Sequence, residues 1–175
     1  QYLLEHDYRD RFCEALYKDL KKPVVETDLT ELYPVIKEIK YVKRHLRSWM
    51  RKHYVSTPLV LLGSQSYTLY EPKGVCLIMS PWNFPVNLTL SPLVSAIAAG
   101  NTAIIKPSEM SEHTSEVLGQ LMAEIFEEKE VFLVQGGVAV AEQLLELPFN
   151  HMFFTGSPVV GKIVMEAAAE HLSSV

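Results

Sequence analysis

Gly74-Val75-Cys76-Leu77-Ile78-Met79-Ser80-Pro81-Trp82-Asn83-Phe84-Pro85 reads as a wholly apolar strand running into a turn fenced by two prolines. The same rhythm then repeats. A helix through Leu88, Leu90, Leu93, Ile97 and Ala98 closes at Gly100, and Thr102-Ala103-Ile104-Ile105 is the second strand. A helix from about Ser111 to Ile125 precedes the third strand, Val131-Phe132-Leu133-Val134. A helix from about Val138 to Leu147 leads to His151-Met152-Phe153-Phe154, and the last helix covers Val159 to His171. Continuous apolar strands separated by helices require a parallel sheet covered on both faces. The right-handed crossover rule then predicts an α/β, doubly wound Rossmann-like domain over residues 74–175.

Open α/β sheets bind ligands where their strands end, so the strand-to-helix turns carry the chemistry. An ordinary dinucleotide fold places Gly-x-Gly-x-x-Gly at its first turn. Here that turn is Ser80-Pro81-Trp82-Asn83-Phe84-Pro85, with no glycine. Two prolines remove backbone N–H donors, so a diphosphate cannot be cradled there. The glycine pair stands instead at the fourth turn, Phe154-Thr155-Gly156-Ser157-Pro158-Val159-Val160-Gly161. A helix N-terminus favours anions, and glycine lets backbone approach phosphate closely. Lys106 and Glu109 follow the second strand, where such folds read an adenosine ribose.

Each of these residues also has an ordinary structural use. Asn83 could cap the helix that follows it. Lys106 and Glu109 could be a solvated loop pair, and Gly156 and Gly161 a turn and a packing glycine. Gly156-x-x-x-x-Gly161-Lys162 matches a Walker A skeleton until its final position, where Ile163 lacks the hydroxyl that binds Mg²⁺.

Ahead of the domain, apolar residues at Tyr8, Phe12, Leu16 and Leu20 predict an amphipathic helix from Leu3 to about Leu20. Asp28 followed by Glu31 has the form of a capping box opening a second helix that runs to about Trp49. Its end is strongly basic, with Lys40, Lys43, Arg44, Arg47, Arg51 and Lys52. Such a run is either an anion-binding surface or a solvated face suited to the helix dipole. These segments form an N-terminal helical part, residues 1–54. Leu59-Val60-Leu61-Leu62 and Ser66-Tyr67-Thr68-Leu69-Tyr70 flank Gly63-Ser64-Gln65 and predict a protruding β-hairpin within residues 55–73.

Composition narrows the classes. A chain of 175 residues with net charge -5 does not present a general nucleic-acid surface. No apolar run is long enough to span a bilayer. The opening residues lack the features of a secretory signal, and no initiator Met stands before Gln1, so the N-terminus is expected to be already trimmed. Cys13 and Cys76 form neither a disulfide framework nor a zinc spacing, and His113 and His151 have no partners at metal spacing. Cytoplasmic residence and no bound metal are therefore expected.

Pro81-Trp82-Asn83-Phe84-Pro85, Lys106-Pro107-Ser108-Glu109 and Phe154-Thr155-Gly156-Ser157 with Gly161 together resemble the cofactor-binding half of an aldehyde dehydrogenase. The class 3 branch, acting on fatty and aromatic aldehydes, is the nearest in kind, and the resemblance spans essentially the whole chain. It implies that Asn83 donates to the oxyanion of a tetrahedral intermediate. It implies a cofactor site of Ser80, Pro81, Trp82, Lys106, Glu109, Phe154, Thr155, Gly156, Ser157 and Gly161. NAD is the implied cofactor, with NADP possible, because a carboxylate repels a 2′-phosphate while an ammonium attracts one. The hairpin is implied to be part of a bridging arm that contacts the partner in a homodimer. The nucleophilic cysteine and general-base glutamate of the family are not matched within these residues. The fragment alone is thus expected to be inactive; the alternative is a stand-alone nucleotide-binding or interaction module.

Overall fold

A computed structural model describes all 175 residues. In chain order the elements are α1 (Tyr2–Glu5), α2 (Arg9–Leu20), α3 (Val24–Glu26), α4 (Tyr33–Trp49), β1 (His53–Val55), β2 (Ser66–Thr68) and β3 (Val75–Met79). There follow α5 (Asn87–Ala98), β4 (Thr102–Lys106), α6 (Glu112–Ile125), β5 (Val131–Leu133), α7 (Val138–Leu145), β6 (His151–Phe154) and α8 (Pro158–Glu170). The four apolar strands form one parallel sheet in the order β5-β4-β3-β6. This is the doubly wound arrangement that the strand rhythm predicts. Beyond β6, the Met152 N–H reaches the Ser174 carbonyl at 2.9 Å, a single parallel bridge on the sheet's edge.

Alternation along β3 divides the core. Ile78 faces a cluster built with Phe12, Leu16, Val35, Leu90 and Leu118, so the N-terminal helices share one core with α5 and α6. Leu77 and Met79 face the opposite side, against Leu144, Phe149, Met152 and Val164 beneath α7 and α8. Both faces of β3 are therefore covered, which is what permits its lack of polar positions, while Phe132 and Phe153 on the outer strands stay exposed.

Three local expectations are corrected. The first helix is two: the Leu3 carbonyl accepts from both Asp7 and Tyr8, closing a wide turn that puts Leu4 and Tyr8 together in the core. The second helix starts earlier, at Val24 directly after Pro23, and passes through a π-type stretch at Thr27–Leu32 before α4. Asp28 and Glu31 are therefore inside a helix and cap nothing at its start. Asp28 instead takes two guanidinium bonds from Arg9, at 2.9 and 2.6 Å. Glu31 is completely buried, with a use described below.

The hairpin exists with its second strand inside the expected run and a different first strand. His53–Val55 pairs antiparallel with Ser66–Thr68, while Leu59–Leu61 is a short 3₁₀ turn in the connection. A strand needs an edge to pair with, and β1 already occupies the edge of β2. Leu59, Val60 and Leu62 are left 86%, 93% and 87% exposed. Protrusion is thus as expected, although this apolar run is not a strand.

One long-range contact fixes α2 against α6. The Asp19 carboxylate accepts from the amides of His113 and Thr114 at 3.2 and 2.8 Å, and from the Thr114 hydroxyl at 2.7 Å. Burial alone would push this carboxyl up, but the bonds from Thr114 and His113 outweigh it and hold it below its ordinary value. A carboxylate with a lowered folded pKa stabilises above its unfolded value, and the contribution is lost as pH falls through the folded one. Asp19→Ala is expected to cost about 1–2 kcal/mol at neutral pH, the usual worth of a helix cap. The gap from the parent should close below about pH 4, near the ordinary carboxyl pKa. Urea unfolding at pH 7 and pH 3 measures both, and an equal gap at the two pH values would contradict this account.

Candidate functional site

The strand order reverses at β3, with β4 on one side and β6 on the other, so the crevice beyond its C-terminal end is the switch point of the sheet. Met79 stands in register with Lys106 on one neighbour and Phe154 on the other. The Ser80 N–H donates to the Lys106 carbonyl at 3.2 Å, and the Thr155 N–H to the Met79 carbonyl at 3.1 Å. Three sequence segments are tied to the backbone of two residues.

The proline-fenced turn sits over this point. Ser80 is buried, and its hydroxyl is paired with that of Thr89 at 2.5 Å. Pro81 is half-buried, and Trp82 and Asn83 are exposed. Asn83 does not cap α5. The first amides of that region, Val86 and Asn87, donate instead to Glu31 Oε2 at 3.1 and 2.9 Å. The other oxygen of Glu31 accepts from Lys22 Nζ at 2.6 Å, with both side chains buried. Lys22 also donates to the Asn83 carbonyl at 3.1 Å and lies 4.3 Å from the centre of the Phe84 ring. The turn is thus held through Ser80, the Asn83 carbonyl and Phe84, while the Trp82 ring and the Asn83 amide stay uncommitted at the surface.

Lys106 is buried at the end of β4 and donates to the Pro107 carbonyl at 3.1 Å and to Glu109 Oε2 at 3.3 Å. Glu109 is exposed, and its own backbone N–H, followed by Lys106, holds its carboxyl below the ordinary value. Beside it opens a cleft of about 410 Å³, lined by polar groups that include Glu109, Ser115 and Gln135. Gly136 and Gly137 complete the wall. At Gly136 φ is +153°, and a Cβ would lie 2.4 Å from a Val140 methyl, so a side chain there meets both strain and a clash. Gln135-Gly136-Gly137 is not among the expected site residues, although a glycine pair directly after the third core strand signals a shaped turn.

At the fourth turn the Phe154 ring packs where Gly156 would carry a Cβ, 2.4 Å away, and at 3.6 Å from the equivalent position of Gly161. Gly156 therefore has a packing reason, whereas a Cβ at Gly161 would make only ordinary contact with the ring. Ser157 is the cap of α8, its oxygen accepting from Val160 N at 3.3 Å, while Pro158 contributes no N–H. The hydroxyl proton of Ser157 remains free to donate to an anion. Thr155 is half-buried beside them at the end of β6.

Cys13 and Cys76 are free and buried, and burial pushes both up from their ordinary values. His113 Nδ1 rests on Asp19 at 2.7 Å and His151 Nδ1 on the Ser174 carbonyl at 2.9 Å. No three His, Cys, Asp or Glu side chains gather as metal ligands. No helix is long and apolar enough to cross a membrane.

Comparison with known proteins places the chain. The 4,4'-diaponeurosporen-aldehyde dehydrogenase of Staphylococcus aureus is 44% identical over 168 residues, covering 96% of this chain and 37% of that protein. Aldehyde dehydrogenase family 3 member B2 of Mus musculus is 44% identical over 162 residues, covering 93% and 34%. The chain thus spans little more than a third of the length of these relatives. The structure of Staphylococcus aureus AldH in a substrate-bound state superposes with a TM-score of 0.96 at 43% identity, covering 98% of this chain and 38% of that one. A Mycobacterium tuberculosis aldehyde dehydrogenase complexed with NAD+ superposes at 0.84 with 25% identity, covering 96% and 34%. The profile of the aldehyde dehydrogenase family matches residues 2–175, so this chain belongs to that family, on its class 3-like side and corresponding to its N-terminal portion.

Proposed function

We propose that the chain is the cofactor-binding N-terminal part of an NAD(P)-dependent aldehyde dehydrogenase that oxidises aldehydes to carboxylic acids. The observation that carries this reading is the tie of Asn83's turn, Lys106 and Thr155 to the Met79–Ser80 backbone at the switch point. An uncommitted amide donor thereby stands beside a polar cleft and a capped helix N-terminus.

The residues fit a dinucleotide. Glu109 and Lys106 offer an acceptor and a donor to ribose hydroxyls at the mouth of the cleft. The Gln135-Gly136-Gly137 wall leaves room for the adenosine, and Ser157 with the start of α8 suits the diphosphate. Once bound, the nicotinamide supplies hydride acceptance. In the reaction a thiolate adds to the aldehyde carbon, and negative charge develops on the carbonyl oxygen. Hydride then leaves that carbon, and a glutamate-activated water hydrolyses the thioester to the acid. Asn83 would donate its amide N–H to the developing oxyanion. Cys13 and Cys76, both buried, leave the nucleophile to be supplied from outside these residues. Two free thiols suit a reducing cytoplasm.

In the complete dehydrogenase, Asn83→Ala should lower kcat by about 10²–10³, the loss typical of one oxyanion donor. NAD+ affinity should stay within about twofold. An unchanged kcat in steady-state assays would remove Asn83 from the reaction, and with it this reading.

Glu109→Gln removes the charge facing the 2′-position and keeps Lys106. The NADP/NAD ratio of kcat/KM should rise about fivefold, the order expected for one unit charge removed about 4 Å away in water. A flat ratio would take Glu109 off the ribose.

The exposed apolar run Leu59–Leu62 gives the hairpin a surface that a neighbouring subunit would cover, and we assign a homodimer contact to it. Deleting residues 56–68 from the complete enzyme should leave monomers in sedimentation velocity, whereas an unaltered oligomer would contradict the assignment.

A further inference from the structure

We infer that the buried Lys22–Glu31 ion pair positions Asn83, holding the turn from beneath so that the amide is preorganised; this rests on the functional reading above. Lys22 directs its ammonium at Glu31 Oε1, the Asn83 carbonyl and the face of Phe84, at 2.6, 3.1 and 4.3 Å. Glu31 spends its second oxygen on the amides of Val86 and Asn87, at 3.1 and 2.9 Å. Asn87 returns the contact by donating from Nδ2 to the Thr30 carbonyl at 3.0 Å. The Asn83 carbonyl and the backbone three and four residues beyond it are thus anchored to one charge pair.

The pair comes from elements that precede the sheet. Lys22 follows a left-handed Lys21, with φ of 56°, at the end of α2, where the Lys22 N–H closes on the Leu16 carbonyl at 3.4 Å. That reversal turns Lys22 inward. Glu31 lies in the π-type stretch before α4. Two charges are here taken out of water beneath a turn that already has two prolines. Apolar replacements of buried pairs are often neutral or stabilising. Fixing a carbonyl fixes its peptide plane and so narrows where the Cβ beside it can stand, leaving the side chain only its rotamers. A displacement of about 1 Å in a catalytic donor can cost up to about 100-fold in rate.

The test is a double-mutant cycle in the complete dehydrogenase. Removing one charge alone strands the other, so the working variant is Lys22→Met with Glu31→Gln. It removes both charges and retains an oxygen for Val86 and Asn87. This pair of substitutions should lower kcat at least about tenfold, with NAD+ affinity within about twofold and a cooperative unfolding transition retained. In an Asn83→Ala background the same pair should change kcat less than about twofold, because its effect passes through the missing amide. Amide exchange in the peptide spanning residues 81–90 should quicken at least about tenfold.

An equal tenfold loss in the Asn83→Ala background would overturn the proposal while leaving the functional reading in place. So would undiminished kcat in the charge-free variant, or unchanged exchange in the peptide spanning residues 81–90. An Asn83→Ala enzyme with full activity would instead sink the functional reading, and the proposal with it.

Discussion

The Lys22–Glu31 pair joins parts of the chain that local forces would leave independent. It lies between the end of α2, the helix leading into α4 and the first turn of the sheet, with both side chains buried at a separation of 2.6 Å. Breaking a pair of this kind by removing one partner costs about 3–5 kcal/mol, because the other charge is left in low dielectric. The amide bonds from Val86 and Asn87 to Glu31, and the bond from Lys22 to Asn83, compensate its desolvation. The N-terminal helices are therefore integral to the sheet they precede. Phe12, Leu16 and Val35 meet Ile78 and Ile105 in one cluster.

The second constraint is register. In a parallel sheet the backbone bonds of one strand fix the relative heights of both neighbours, and here Met79 faces Lys106 and Phe154 at the same level. Segments 27 and 75 residues from Met79 in sequence thereby finish at one edge. The chemistry of the site follows from where each strand stops. Lys106 is drawn in with two of its three ammonium donors on Pro107 and Glu109, Asn83 is left free, and Ser157 caps α8 with its proton to spare. Displacing the glycine pair from the first turn to the fourth leaves room over β3 for a stiff, proline-fenced turn that presents a side chain instead of a phosphate nest.

Much of this was legible in order along the chain. Val75–Met79 and His151–Phe154 matched their predicted strands, and the others differed by one residue, because a fully apolar run of that length has no alternative but burial on both faces. The turns gave their positions away through proline and glycine. Legibility failed where a residue had several plausible neighbours. Asp28 and Glu31 fit a capping box by spacing, but Pro23 had already started the helix, and their carboxylates went to Arg9 and Lys22. Leu59–Leu62 had strand composition without an edge to join.

The sequence by itself thus determined the sheet, its direction and the turns that carry the family's segments, because hydrophobic periodicity and backbone dihedral limits act over a few residues. Tertiary structure alone decided what the charged and polar groups do. Whether Lys22 is a solvated cation or a buried clamp depends on Glu31, Asn83 and Phe84 arriving at the same point from three separate elements. Electrostatic partners are chosen by distance in space and by the local loss of water, and neither is written in the order of residues.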